Sequence, residues 1–348
     1  MNDTLKKFIE NAGWPRVIIG LFLASLFVVA PFVNVRVDTS LSDTLVRVGM
    51  NGVLVLAMVP MVQSGCGLNF GLPLGIIAGL LGAVTSLELQ LKGGMGFLAA
   101  MGMAIPLAAL FGYAYGKVLN RVKGDEMMIA TYVGFSSVAA MCMGWLLLPY
   151  TNPVMVWGYG GSGLRTTISV EGYWLHILSD FMSIQIGDSF YFPTGMFLFL
   201  AAMIALVWAF FRTKLGTAVT AVGSNPEFAR ASGIDVNKMR TVSVMLSTIL
   251  GAIGILIYQQ SFGFIQLYLG PLYMAFPAVA AILLGGASVN KASMVNVIVG
   301  AFLFQGILTM TPSVINSLIQ TDMSEVIRIV VSNGMILYAL TRKLQVKR

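Results

Sequence analysis

Runs of apolar residues long enough to cross a bilayer recur along this chain from end to end, and no other feature limits its fold so sharply. A stretch of about 18 or more residues with few charges reads as a transmembrane helix, and by that measure about ten spans are predicted. They fall approximately over residues 17–33, 44–62, 72–86, 95–118, 127–148, 193–211, 241–259, 268–284, 293–310 and 325–340. Composition agrees: of 348 residues, 57% are hydrophobic and 10% charged, whereas soluble domains carry about 25% charged residues. The expected class is all-α, a polytopic transmembrane helical bundle forming a single domain over residues 1–348. Cys66 and Cys142 stand far apart in apolar surroundings, so neither a disulfide framework nor a metal site is suggested.

The formal charge of +7 would suit a nucleic-acid ligand, but the basic residues cluster beside span ends, which is the pattern of topology signals. With about ten spans, Lys6, Lys7 and Arg16, then Lys117, Arg121 and Lys123, then the segment 212–240, then Arg342, Lys343, Lys347 and Arg348 all fall on one side. The positive-inside rule makes that side cytoplasmic and puts both termini there. The connection 149–192 has Arg165 as its one Lys or Arg, against Glu171, Asp180 and Asp188, and is expected outside. Arg36 and Arg47, on the predicted outer side, run against the trend. Residues 17–33, behind Lys6 and Lys7, also fit a cleaved signal peptide. Removing them would put the basic loops on inconsistent sides, so the run is read as a retained span.

Ionisable residues are nearly missing from the spans. Glu126 and Glu325 sit at predicted span ends, and Arg328 lies one turn further in. An ion-coupled carrier ordinarily keeps a buried carboxylate pathway. An externally powered permease fits better, with an autonomous channel or secondary carrier as the rival. A membrane enzyme lacks any His, Cys or carboxylate constellation within the spans.

The least membrane-like stretch is GTAVTAVGSNPEFARASGIDVNKMR, residues 216–240. Ser224 and Asn225 are good N-cap residues, and Pro226 suits a first helical position because its missing N–H would go unbonded there anyway. Glu227 favours the positive end of a helix dipole, and Gly233 is the residue type that ends a helix in a left-handed conformation. Residues 226–232 are therefore predicted to form a two-turn helix, capped at both ends, carrying Phe228 as an aromatic knob beside Arg230. It either docks a cytosolic partner or rests on lipid headgroups, and it is short and polar for the second role.

A second informative stretch, VQSGCGLNFGLPLGIIAGLLGA, covers residues 62–83. Gly65, Gly67 and Pro73 interrupt an apolar run there, as a broken second helix or as a plain turn before a packing helix. Irregular backbone at membrane depth is tolerated only where protein or a water-filled cavity surrounds it, and such breaks commonly hold substrate sites. Gly71, Gly75 and Gly79 form a small-residue stripe suited to close helix approach. Gly285, Gly286 and Asn290 repeat the theme, in the manner of a parallel internal repeat. An uncharged, hydroxyl-rich ligand would suit a pathway of aromatic and amide side chains. Tyr132, Phe135, Gln259, Gln260 and Phe262 are candidates, each equally suited to packing or lipid contact. His176, the one histidine, has no metal-ligand spacing and is read as incidental. The outer connection mixes Gly-rich turns with a Trp/Tyr/Leu-rich run that could receive a protein or lie along the membrane interface.

AVGSNPEFARASGIDVNKMR resembles the coupling segment of the bacterial ABC-importer permeases of the ribose and nucleoside class, through Gly223, Asn225, Ala229, Ala231, Gly233 and Ile234. The resemblance extends from about Leu45 to Leu340. LNFGLPLG is similar to the Phe-Asn-x-Gly-x-Glu-Gly pattern of nucleoside permeases through Asn69, Gly71 and Gly75, with Pro73 near the expected Glu. GDEMMIAT resembles their Glu-Val-Ile-x-Thr segment through Glu126, Met127, Met128 and Thr131. VNKASM stands where the family usually has Gly-Gly-x-Gly, a departure that would suit one half of a heterodimeric pair. The resemblance implies a permease of the bacterial inner membrane, importing a nucleoside or else a monosaccharide such as a pentose. It implies a second permease chain, cytosolic ATPase subunits that bind ATP and Mg, and an extracytoplasmic substrate-binding protein. No cofactor is expected in this chain, which contains no G-x-x-x-x-G-K-[ST] phosphate loop. The implied coupling residues are Asn225, Pro226, Glu227, Phe228, Ala229, Arg230, Ala231 and Gly233. Gly67, Asn69 and Thr131 join the aromatic and amide candidates as pathway residues.

Overall fold

A computed structural model of the chain describes residues 14–158, 163–187, 189–319 and 323–345. Lys6, Lys7, Asp188, Lys347 and Arg348 lie outside the described residues. The rest is mostly helical: α1 (Trp14–Val29), α2 (Val37–Leu56), α3 (Met58–Gln63), α4 (Leu72–Glu88), α5 (Gly93–Arg121), α6 (Glu126–Leu147), α7 (Thr194–Arg212), α8 (Lys214–Ser224), α9 (Pro226–Ala231), α10 (Val236–Phe262), α11 (Gly270–Leu284), α12 (Met294–Ile319) and α13 (Ser324–Gln345). Among the described residues, seven helices are long and apolar enough to cross a membrane, α2 and α3 counting together. Leu72–Glu88, Gly270–Leu284 and Val326–Met335 are shorter apolar helices.

The centre of the bundle is built by α2, α3, α4, α5 and α10. The most apolar windows of Val37–Gln63 and Val236–Phe262 are 78% and 67% buried, against 17% for α6. Between helices of such similar polarity, close packing supplies the attraction, and small residues allow it. A Cβ at Gly75 would meet the Thr248 carbonyl oxygen at 2.5 Å, and one at Gly79 the Ala252 carbonyl oxygen at 2.5 Å. Gly75 and Gly79 of α4 thus seat directly on the backbone of α10, while Gly71 faces Tyr115 of α5.

Hydrogen bonds gather the helix ends into two groups. At the near end, Arg16 donates to the Gly286 carbonyl at 3.2 Å and Gln63 to the Ala292 carbonyl, while Asn120 Nδ2 donates to the Asn237 carbonyl at 2.9 Å. At the far end, Gly93 N donates to the Tyr173 carbonyl at 2.6 Å, Val170 N to the Gly263 carbonyl at 3.0 Å, and Ser317 Oγ to the Val33 carbonyl. Successive long helices therefore run in opposite directions.

The irregular stretch expected at Gly65 and Gly67 is present, and a further break precedes it. The helix breaks at Ala57, between α2 and α3. Pro60 explains it, because a proline cannot donate to the carbonyl four residues back, here that of Leu56. Ser247 Oγ donates to the Ala57 carbonyl at 2.6 Å. Residues 64–71 are non-helical, with Gly65 and Gly67 at φ 76° and 80°, a region that favours glycine. Pro73, expected to interrupt a run, instead lies in the first turn of α4, where its missing N–H removes no hydrogen bond.

The far-end segment departs from the all-α expectation through two small antiparallel ladders. β1 (Thr167–Ser169) pairs with β4 (Phe264–Gln266), and β2 (Ile184–Ile186) pairs with β3 (Phe190–Phe192). Three-residue strands are too short for their alternation to stand out from apolar sequence. The segment is pinned down by side chains. The Glu88 carboxylate accepts from Thr151 N at 3.1 Å, Thr151 Oγ1 at 2.8 Å and Asn152 N at 3.0 Å. Trp174 is buried against Phe97, ring centroids 6.0 Å apart. Tyr191 donates to the Ser179 carbonyl, and burial together with the nearby Asp180 carboxylate pushes its phenol up from the ordinary value. His176 contacts the carbonyl of Ser261 at 3.2 Å, which makes it a fastening of this segment.

Candidate functional site

The polar stretch after α7 folds as two short helices rather than one. Thr213 caps α8 by accepting from Gly216 N at 3.2 Å, and α8 continues to Ser224. Ser224, a cap candidate by residue type, thus ends α8. Asn225 is the cap of α9: its Oδ1 accepts from Phe228 N at 3.0 Å, and Pro226 occupies the first turn. The helix stops at Ala231, one residue earlier than expected, and Gly233 follows at φ 80°. Asp235 then caps α10, accepting from Lys238 N at 3.0 Å.

One side of α9 is buried and the other is bare. Ala229 is fully buried in a small cluster with Val219, Val222, Val236 and Met239, which holds α9 against α8 and α10. Phe228 projects with 69% of its surface exposed. Glu227 and Arg230 pair at 3.7 Å in solvent, and Ala231 is exposed beside them.

Behind α9, the chain meets the irregular segment 64–71 glycine to glycine. A Cβ at Gly65 would lie 3.1 Å from Gly223 Cα, and one at Gly223 would collide with the Gln63 carbonyl oxygen. A Cβ at Gly67 would lie 2.9 Å from Met127 Cγ and 3.3 Å from Val289 Cγ1. Segment 64–71 is therefore clasped among α8, the start of α6 and the α11–α12 connection. The two glycine breaks compared in the sequence end up side by side. A cavity of about 810 Å³ opens beside them, between the end of α8 and the 286–296 connection, lined by Gln63, Gly223, Gly286, Ser288, Asn290 and Asn296, among others.

The candidate pathway residues separate into three groups. Asn69 is fully buried and engaged at both ends of its amide: Nδ2 donates to Ser247 Oγ at 2.7 Å and Oδ1 accepts from Tyr115 at 3.2 Å. Gln260 is also buried and engaged, accepting from Leu178 N at 3.1 Å and donating to Ser179 Oγ at 3.4 Å. These two, with Gly67, are built into the packing. Thr131, Tyr132 and Phe135 lie on the least covered face of α6. Tyr132 is 61% exposed, Phe135 packs on Phe276 with ring centroids 5.9 Å apart and the rings tilted, and Thr131 bonds back to the Met127 carbonyl. Phe262, at the far end of α10, is 42% exposed and packs on Tyr258 and Phe264. Gln259 stands alone: it is buried, yet neither its Oε1 nor its Nε2 has a partner. An unpartnered buried amide costs about 1–3 kcal/mol.

Two features at this end were not foreseen. Arg240 and Glu126 form an ion pair at 3.0 Å with both side chains 12% exposed, tying the start of α10 to the start of α6. Ser247 and Tyr115 complete the polar ring around Asn69. Polar residues inside apolar runs were the available signal for the ring, but nothing in the sequence pairs Arg240 with Glu126.

A bundle with seven helices, among the described residues, long and apolar enough to cross a membrane is the architecture of a multi-pass membrane protein. Residues 40–339 match the family described as the permease component of the branched-chain amino acid transport system, and the chain belongs to that family. It is similar to the nucleoside ABC transporter permease protein NupC of Lactococcus lactis, 37% identical over 93 residues that span 26% of this chain and 29% of that protein. It is also similar to the ribose import permease protein RbsC of Escherichia coli, 24% identical over 76% of this chain and 75% of that protein. To the autoinducer 2 import system permease protein LsrC of Klebsiella pneumoniae it is 28% identical over 62% of each chain. No solved structure matches the chain significantly. The chain is thus a permease subunit of the bacterial inner membrane and not itself an enzyme.

Proposed function

We propose that this chain forms the translocation pathway of an ATP-driven, binding-protein-dependent importer, and that residues 225–233 couple it to cytosolic ATPase subunits. The observation that carries this reading is Phe228, 69% exposed on a helix whose other side is anchored through Ala229. Counting the three shorter apolar helices with the seven long ones gives about ten crossings. The near end is then cytoplasmic, with both termini, and residues 149–192 lie outside.

Closure of the ATPases would press on Phe228, Glu227 and Arg230 and move α9 with α8. Gly223 hands that motion to Gly65 and the 64–71 segment; the return through Gly233 hands it to α10 and, across Arg240–Glu126, to α6. The solute passes along α6, against Thr131, Tyr132 and Phe135, with the amide of Gln259 deeper in the bundle. A nucleoside is favoured, by the Asn69 and Glu126 motifs and by the similarity to nucleoside permeases. A pentose is the second reading, since relatives aligned over most of the chain are named for ribose. The pathway needs ordered hydroxyl and amide contacts in either case.

Uptake of labelled nucleosides and pentoses into cells carrying the complete transporter tests the proposal. Uptake should stop on ATP depletion, and Phe228→Asp or Gly233→Pro should abolish it while leaving membrane insertion intact. Uptake that survives ATP depletion and collapses with the ion gradients would make the chain a secondary carrier.

A further inference from the structure

A second cavity, of about 700 Å³, runs between the last turns of α5 and the first turns of α10. Its near-end rim is cationic: Lys117 and Arg121 from one helix, Lys238 from the other. None of the three has a carboxylate within salt-bridge distance among the described residues, whose ion pairs are Glu227–Arg230 and Glu126–Arg240. The one acid on the rim is Asp235, and it is occupied in capping α10. Further in, the lining turns apolar, with Tyr113, Val242 and Met245. Lys117 sits 4.5 Å above the ring of Tyr113, which ties the cationic part to the apolar part. Asn120 bridges the helices by donating to the Asn237 carbonyl and to Thr241 Oγ1, both at 2.9 Å, so the wall is held in place. Its Oδ1 has no partner.

We propose that this groove binds one anionic phospholipid, its phosphate among Lys117, Arg121 and Lys238 and the start of an acyl chain along Tyr113, Val242 and Met245. Depth separates a lipid from a protein partner. Tyr113 precedes Arg121 by eight residues and Met245 follows Val236 by nine, so the apolar floor lies about 12–14 Å along the helix axes. A cytosolic protein contacting the rim would leave that floor empty, whereas a lipid has a headgroup and a chain in this order. Basic pockets between helices on the cytoplasmic side suit acidic headgroups for the same electrostatic reason. The inference rests on the membrane placement and on the near end being cytoplasmic, and not on the identity of the solute.

Native mass spectrometry of the purified, delipidated transporter complex, after titration with phosphatidylglycerol, phosphatidylcholine or inorganic phosphate, reads the site directly. The intact complex should retain one more phosphatidylglycerol per permease chain than the triple variant Lys117→Gln, Arg121→Gln, Lys238→Gln, and no extra phosphatidylcholine. Val242→Trp, which fills the apolar part and leaves the charges, should lose the same lipid. It decides the matter alone if the triple variant fails to assemble. Equal phosphatidylglycerol counts in all three proteins would overturn the proposal. So would displacement by millimolar inorganic phosphate, which would mean a free-anion site. Release of the ATPase with lipid retained would mean a protein contact. Uptake assays on the same variants read the importer proposal separately.

Discussion

Replacing Arg240 by methionine removes one partner of the best-shielded ion pair among the described residues. Arg240 Nη1 and Glu126 Oε1 stand 3.0 Å apart with both side chains 12% exposed, and Glu126 Oε2 also accepts from Gly124 N at 3.0 Å. In Arg240→Met the carboxylate would keep that single backbone bond and lose its counter-charge. Removing one partner of a buried pair costs about 3–5 kcal/mol, and the residual exposure here places the expected loss near 3. Arg230→Met provides the contrast. Its pair with Glu227 is 3.7 Å long and the side chains are 57% and 84% exposed, so the change should be worth at most about 0.5 kcal/mol. The double variant Glu126→Gln, Arg240→Met leaves no orphaned charge and should recover most of the loss. Denaturation of the purified complex in detergent measures all three. The shielding argument fails if Arg240→Met costs no more than Arg230→Met, or if the double variant is as unstable as the two single losses added. On the coupling proposal, Arg240→Met also disconnects α10 from α6, so the surviving folded protein should support ATP hydrolysis with reduced uptake.

Three further outcomes follow from the same geometry. Asn225→Ala removes the α9 cap and should weaken that helix by about 0.5–2 kcal/mol, seen as lower uptake and looser ATPase association with little change in whole-bundle melting. Gly223→Val drives a side chain into the Gln63 carbonyl oxygen; overpacking of this kind costs about 1–3 kcal/mol. Uptake should be lost while ATPase co-purifies, and normal uptake would show that the glycine joint transmits nothing. Gln259→Leu exchanges a buried amide without partners for an apolar group, so the protein should melt at the same temperature or higher while solute affinity falls. A lowered melting temperature would mean that the amide is satisfied, and unchanged affinity would remove it from the pathway.

Much of this architecture was legible because a bilayer leaves the chain few choices. Apolar length alone located the long helices, and Asn225, Pro226 and Gly233 announced α9 through the local chemistry of caps. Two things escaped. The break at Ala57 went unread because Pro60 stands inside an apolar run that seemed continuous, while glycines at 65 and 67 drew attention to the next loop. Asn69 stands out through a motif and Gln260 through its amide, and neither signal distinguishes a side chain facing a solute from one satisfied by Ser247 or Leu178 N. Partners distant in sequence decide that question, and hydropathy carries no information about them. The same limit hid Arg240–Glu126, whose members are 114 residues apart.

A comparison of α1 with α6 bears on where the solute can pass. The most apolar windows of both are 17% buried, so each leaves much of its surface to be covered by something outside this chain. The exposed side chains of α1 include Ile18, Leu21, Phe22, Val28 and Phe32, a surface that lipid tails satisfy. On α6, Met128, Tyr132, Phe135 and Met143 are exposed along one stripe, with Ser136 between them. Lipid cannot hydrogen-bond the phenol of Tyr132, and an unsatisfied polar group in hydrocarbon is costly. On the importer proposal, this difference in chemistry assigns lipid to α1 and a polar space or a second permease chain to α6. If α6 lines the pathway, this chain supplies only one wall of it, because its own helices leave that face open. On the importer proposal, a second permease chain would supply the facing wall along the stripe from Met128 to Met143.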